Sequence, residues 1–173
     1  MKHLRLPVLL LGSLAAAWSA DRPPFYVAGG IGYLNADARE LTTSKPWHAA
    51  LGWGEAAQAL LGAPSIDVDW THAAGRGNRL DTAGLTYNER VPLSDSLYLG
   101  YGVGSFYNRL TLTDSVGDKH TSNNWTIGGI GRLGIYLGGG SYGSLFVEAS
   151  YLYRGKIEGV NVSGAAFTLG LWF

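Results

Sequence analysis

Apolar side chains recur at every second position along most of this chain, and past the first 20 residues they never gather into a run of 18. The clearest case is Val160 to Phe173, VNVSGAAFTLGLWF, where Phe173, Leu171, Leu169, Phe167 and Ala165 alternate with Gly170, Thr168, Ala166 and Gly164. Period two is the signature of a strand with one apolar face, whereas a helix would show apolar residues three and four apart. The same alternation marks seven earlier segments: Phe25 to Asn35, Trp47 to about Ala56, Ser65 to His72, Leu80 to Val91, Ser96 to Leu112, Asn124 to Leu137 and Ser144 to Arg154. Eight strands and no apolar stretch of spanning length exclude a helical membrane protein.

The two faces differ in kind. Ile66, Val68 and Trp70 alternate with Asp67, Asp69 and Thr71; Ala83, Leu85 and Tyr87 alternate with Thr82, Gly84, Thr86 and Arg90. One face would sit in hydrocarbon and the other against polar groups. A sheet can do this in a bilayer only by closing on itself, because an open edge leaves backbone N–H and C=O groups unpaired at several kcal/mol each. The fold class expected is therefore all-β, a closed eight-stranded antiparallel up-and-down transmembrane barrel. An even strand number returns both ends of the barrel to one side.

The connections sort into two classes. Ala36 to Pro46, Ala73 to Arg79, Thr113 to Asn123 and Gly155 to Gly159 are polar and are expected as outer loops. Pro92 to Asp95 and Gly138 to Gly143 have turn composition and suit the periplasmic side. Glu55 to Leu61 has helix-favouring composition and breaks the alternation, and Gly62 to Pro64 reads as a turn.

Residues 1–19 carry Lys2, His3 and Arg5, an apolar core from Leu6 to Leu14, and the small-x-small pattern Ala17-Trp18-Ser19, which is the pattern of a secretory signal. The expected division is a signal peptide over 1–19 and an outer-membrane barrel over 20–173. Loss of Lys2 and Arg5 leaves 11 Lys and Arg against 13 Asp and Glu, net −2 with His neutral. No polybasic surface remains, so no nucleic-acid partner is expected. Cysteine is absent, so an exported chain of this kind folds without disulfides.

The signal, the eight alternating segments and the terminal Phe173 resemble the small eight-stranded bacterial outer-membrane barrels of the OmpA transmembrane domain and OmpX kind. That resemblance implies a monomer embedded among outer-membrane lipid and lipopolysaccharide, with Phe173 as the signal read by the outer-membrane assembly machinery. No cofactor or metal is implied. Trp47, Trp53, Trp70, Tyr101, Trp125, Tyr151 and Tyr153 fall on the apolar face and are expected as membrane-interface aromatics.

An eight-stranded barrel is wide enough inside only for its own side chains. The expected lumen network is His48, Asp67, Asp69, Arg90, Arg132 and Glu148, a charge-balanced plug. With a turn near Gly140 and Ser141, Arg132 and Glu148 become diagonal neighbours within reach of a salt bridge. Abundant lumen glycines fit crowding in so narrow a tube. The function expected is a structural or surface-interaction role through the outer loops; a small pore or transporter for hydrophobic or small solutes is the alternative.

His120-Thr121-Ser122-Asn123 is similar to the His-x-Ser-Asn signature of lipid A deacylases. That resemblance implies Ser122 as nucleophile, His120 as base and an acid behind the imidazole. Glu148 is the next acid after Ser122 in the sequence. Read from the residues alone, the same segment is a solvated loop.

Overall fold

The computed structural model describes residues 25–43, 45–54, 63–137 and 145–173. The segment expected as a signal and the stretches 55–62 and 138–144 lie outside those residues. Among the described residues ten strands and one helix are formed: β1 (Phe25–Leu34), α1 (Ala36–Leu41), β2 (Trp47–Gly54), β3 (Ala63–Gly75), β4 (Asn78–Pro92), β5 (Leu97–Thr113), β6 (Lys119–Leu137), β7 (Leu145–Tyr153), β8 (Lys156–Ile157), β9 (Val160–Asn161) and β10 (Gly164–Trp172). Eight of them form a closed antiparallel barrel in the order β1-β10-β7-β6-β5-β4-β3-β2, and β8 and β9 form a separate hairpin.

Closure is made by β1 against β10, with Tyr26 opposite Trp172 and Leu34 opposite Gly164. Beyond the last ladder pair the Phe173 N–H donates to the Phe25 carbonyl at 2.8 Å, and the two rings stack at 4.8 Å. Phe173 therefore helps fasten the seam at the end of the barrel where β1 begins and β10 ends, called here the terminal end.

The strands outrun the lengths expected from sequence at the opposite, loop end. Ala73 to Arg79 is not a loop: β3 and β4 pair as far as Gly75 and Asn78. Only Arg76 and Gly77 turn, both at positive φ (55° and 82°), the geometry of a tight I′ hairpin. The expected loop Thr113 to Asn123 shrinks to a turn over Asp114–Asp118, since β5 and β6 stay paired up to Thr113 and Lys119. The last strand starts later than Val160, at Gly164, because Val160 and Asn161 pair with β8 instead. Within the polar stretch after β1 the structure forms α1, where the Asn35 side chain caps the first turn and Ala38 is buried.

The lumen is filled in layers. At the terminal end Tyr26, Tyr98, Tyr136, Phe146 and Trp172 pack with Ala50. A charged layer follows, then Phe106, Ile130, Leu152 and Ala166. At the loop end Leu34, Ala38, Ala73, Leu80, Leu110, Ile157 and Val162 form an apolar stopper built partly from α1 and the β8–β9 hairpin. Glycines make room for the rings: a Cβ on Gly52, Gly134 or Gly170 would lie 2.1–2.2 Å from the ring of Tyr26, Tyr98 or Phe146, each the residue directly opposite on the next strand. Outside, Ile31, Ile66, Leu85, Leu99, Val103, Ile127, Leu133, Phe167 and Leu169 are all exposed, an apolar band suited to acyl chains.

Candidate functional site

Two places carry polar chemistry, the charged layer in the lumen and the open mouth at the loop end. Inward positions of β3, β4, β6 and β7 place Asp67, Arg90, Arg132 and Glu148 in one ring, none more than 3% exposed. Arg132 Nη1 donates to Glu148 Oε1 at 2.8 Å, and its Nη2 lies 2.9 Å from Asp67 Oδ2 as an ion pair. Arg90 Nη2 sits 3.4 Å from Asp67 and 4.0 Å from Glu148. Each carboxylate thus faces both guanidiniums. The ring is tied to the aromatic layer by hydroxyls, Tyr26 Oη donating to Asp67 at 2.6 Å and Tyr98 Oη donating to Glu148 at 2.8 Å. Arg90 also lies over the Tyr26 ring at 4.7 Å.

One step toward the loop end, Asp69 meets Arg154 Nη2 at 3.7 Å. Arg154 donates to Thr71 Oγ1 at 2.6 Å, and that hydroxyl also contacts His48 Nδ1 at 2.9 Å. All six residues expected in the lumen are therefore buried there, with Arg132 and Glu148 diagonal across the β6–β7 ladder. Three members were not anticipated: Arg154, Tyr26 and Tyr98. Their signal was the phase itself, for Arg154 follows outward Tyr153, Tyr26 precedes outward Val27, and Tyr98 precedes outward Leu99. Three guanidiniums, of Arg90, Arg132 and Arg154, face three carboxylates, of Asp67, Asp69 and Glu148.

At the mouth, β6 carries His120 and Ser122 on its inward side. Glu148 is not the acid beside them; it is held by Arg132 and Tyr98. The carboxylate that arrives is Glu158, from the I′ turn between β8 and β9 where Glu158 and Gly159 have φ of 49° and 82°. Ser122 Oγ lies 3.1 Å from His120 Nε2, and Glu158 Oε1 lies 3.1 Å from the same nitrogen. The Ser122 hydroxyl also donates directly to Glu158. A nucleophile relay needs the acid on one ring nitrogen and the serine on the other. Here serine and acid share Nε2, and the group is open to solvent.

The Ser122 and His120 hydrogen bonds hold the Glu158 carboxyl below its ordinary range. A depressed carboxylate stabilises the fold above its unfolded pKa and loses that contribution as pH falls through the folded value. Ser122→Ala is expected to move the Glu158 titration midpoint upward, read by carbon-13 NMR of the side-chain carboxyl; an unmoved midpoint would show that the hydroxyl does not bond it in solution.

Beside this trio a cleft of about 600 Å³ opens between the end of α1 and the β5–β6 hairpin, lined by Leu41, Asn78, Leu112, Thr113, Asp114, Asp118, Lys119 and His120. Among the described residues no three His, Asp or Glu side chains are placed to share a metal ion. The aromatics expected at the membrane surface all point outward, from Trp47 at 41% exposure to Trp125 at 71%.

No known family model and no curated protein matches the sequence. Solved structures do match in fold. Neisserial surface protein A superposes with a TM-score of 0.58 at 14% identity, over 86% of this chain and 94% of that one. The N-terminal β-barrel domain of Pseudomonas aeruginosa OprF gives 0.57 at 8% identity, over 88% and 98%. The attachment invasion locus protein Ail of Yersinia pestis, crystallised with the heparin analogue sucrose octasulfate, gives 0.56 at 10% identity, over 88% and 99%. Likeness at these identities is likeness of fold: the chain is a closed eight-stranded antiparallel barrel, the fold of these small outer-membrane proteins.

Proposed function

We propose that this chain is an integral barrel of a bacterial outer membrane, exported by residues 1–19, that acts as a rigid surface platform and not as a channel. The observation that carries this reading is the lumen, occupied from end to end by buried side chains in aromatic, charged and apolar layers. The terminal end faces the periplasm, β10 and Phe173 being the part offered to the assembly machinery. The loop end, with α1, the β5–β6 hairpin and the β8–β9 hairpin, faces out and meets lipopolysaccharide and any surface partner. The barrel works as a monomer. In planar bilayers the purified protein is expected to give no unitary conductance; reproducible steps that scale with protein would establish the pore alternative instead.

A second reading, hydrolysis of a lipid A acyl ester by Ser122, has the contact of Ser122, His120 and Glu158 in its favour. It requires Glu158 to leave Nε2 and a carboxylate to engage Nδ1. Under the platform reading, lipid A from cells making the wild type and cells making Ser122→Ala has the same mass. Loss of an acyl group that depends on Ser122 would establish the hydrolase.

A further inference from the structure

Above the apolar band, the outward face of β4, β5 and β6 stops being apolar without ceasing to be a sheet. On β4 the outward residues are Arg79 and Asp81, on β5 Arg109 and Thr111, and on β6 Lys119, Thr121 and Asn123, alternating with inward Leu80 and Leu110. Register fixes their layout. Arg79 is opposite Thr111, and Thr111 is opposite Thr121 with their hydroxyls 3.0 Å apart. Arg109 lies two positions below Thr111 on its own strand, and Lys119 two positions above Thr121. Three cations therefore surround one hydroxyl pair, within the reach of diagonal neighbours on a sheet face.

The charges are available. Asp81 engages Arg79 through Nε at 2.5 Å and takes His72 on its other oxygen at 2.7 Å, so the contact with Asp81 uses neither terminal amino group of Arg79. Arg109 and Lys119 have no ion-pair partner among the described residues. At the hairpin tip, Asp114 is engaged by the N–H groups of Val116 and Asp118. One level below Arg109, Tyr107 and Trp125 pack at 5.2 Å, and Trp47 and Trp70 pack at 4.7 Å farther round the barrel. Aromatics at this height mark the boundary between acyl chains and headgroups.

We infer that Arg79, Arg109 and Lys119, grouped about the Thr111–Thr121 hydroxyl pair, form a seat for a phosphate on an anionic lipid of the outer leaflet, whose acyl chains lie along Tyr107 and Trp125. Guanidinium forks and hydroxyls suit phosphate oxygens, and the aromatic step beneath selects a phosphate that carries hydrocarbon over a free one. The inference rests on the outer-membrane reading above and gives that platform a defined lipid partner.

The full-length mature protein, reconstituted in phosphatidylcholine nanodiscs with trace bisphosphorylated lipid A, tests it by native mass spectrometry of retained lipid. Wild type is expected to retain lipid A at least tenfold more than lipid A stripped of phosphate. The triple variant Arg79→Gln, Arg109→Gln, Lys119→Gln is expected to lose that preference, Thr111→Val with Thr121→Val to lose several-fold, and Lys156→Gln, outside the patch, to keep it. Equal retention by the triple variant, or no preference in the wild type, overturns the seat. Displacement by millimolar inorganic phosphate would also overturn it, in favour of a free-anion site. Heat-dependent gel mobility is read on the same samples: barrels that insert but show no preference refute the seat alone, and failure to insert refutes the membrane reading with it.

Discussion

Arg132→Met is expected to destabilise the folded barrel by about 3–5 kcal/mol, the cost of taking one partner from a buried ion pair and leaving its charge uncompensated. Arg132 holds Glu148 at 2.8 Å and Asp67 at 2.9 Å. Without it Arg90 alone faces two carboxylates, from 3.4 and 4.0 Å. Methionine fills most of the volume, so the loss is electrostatic and not a cavity. Urea unfolding of the lipid-reconstituted protein measures it as a lower midpoint at unchanged slope. Adding Glu148→Gln removes the surplus negative charge, and the double variant is expected to recover about 1–3 kcal/mol relative to the sum of the singles, the usual coupling for groups in one network. Strict additivity would mean that the four charges do not act as a ring, and the account of the lumen as a neutralised plug would fail.

How much of this was legible beforehand depended on where each residue sits relative to the bilayer. Inside the hydrocarbon zone the two faces experience opposite solvents, so alternation is sharp and Asp67, Asp69, Arg90, Arg132 and Glu148 declare themselves by phase alone. Aromatic residues do not, since a ring satisfies either the membrane surface or a plug. Tyr98 and Tyr101 differ only in parity, yet one is fully buried and the other 52% exposed. Above the hydrocarbon the outward face of a strand is wet, while its inward face still packs Leu80 and Leu110 into the apolar stopper. Arg79, Asp81, Arg109 and Lys119 therefore look like loop residues although they lie on paired strands. The mouth trio was half legible: His120 and Ser122 are two apart on one strand, but Glu158 reaches them through the β8–β9 hairpin, 36 residues past Ser122, and chain distance held no sign of which acid would arrive.

The seam between β1 and β10 is where the closed cylinder is most open to test by a single methyl group. Gly30 pairs with Thr168 on β10. A Cβ built there would stand 1.8 Å from the Phe167 carbonyl oxygen and 2.8 Å from its carbon. Both are backbone atoms that cannot swing aside as a side-chain tip can. Gly30→Ala must therefore push the two closing strands apart, at the upper end of the roughly 1–3 kcal/mol usual for overpacking, and it falls on the one pairing that joins the first barrel strand to the last. Gly131→Ala is the matched control, because its Cβ meets nothing within 4 Å and projects toward lipid. Gly30→Ala is expected to cut the fraction that runs as the compact, heat-modifiable band after folding into lipid, while Gly131→Ala folds as wild type does. If Gly30→Ala closed as readily as Gly131→Ala, the close approach of β1 to β10 would not exist in the protein, and the register assigned to the seam would have to be redrawn.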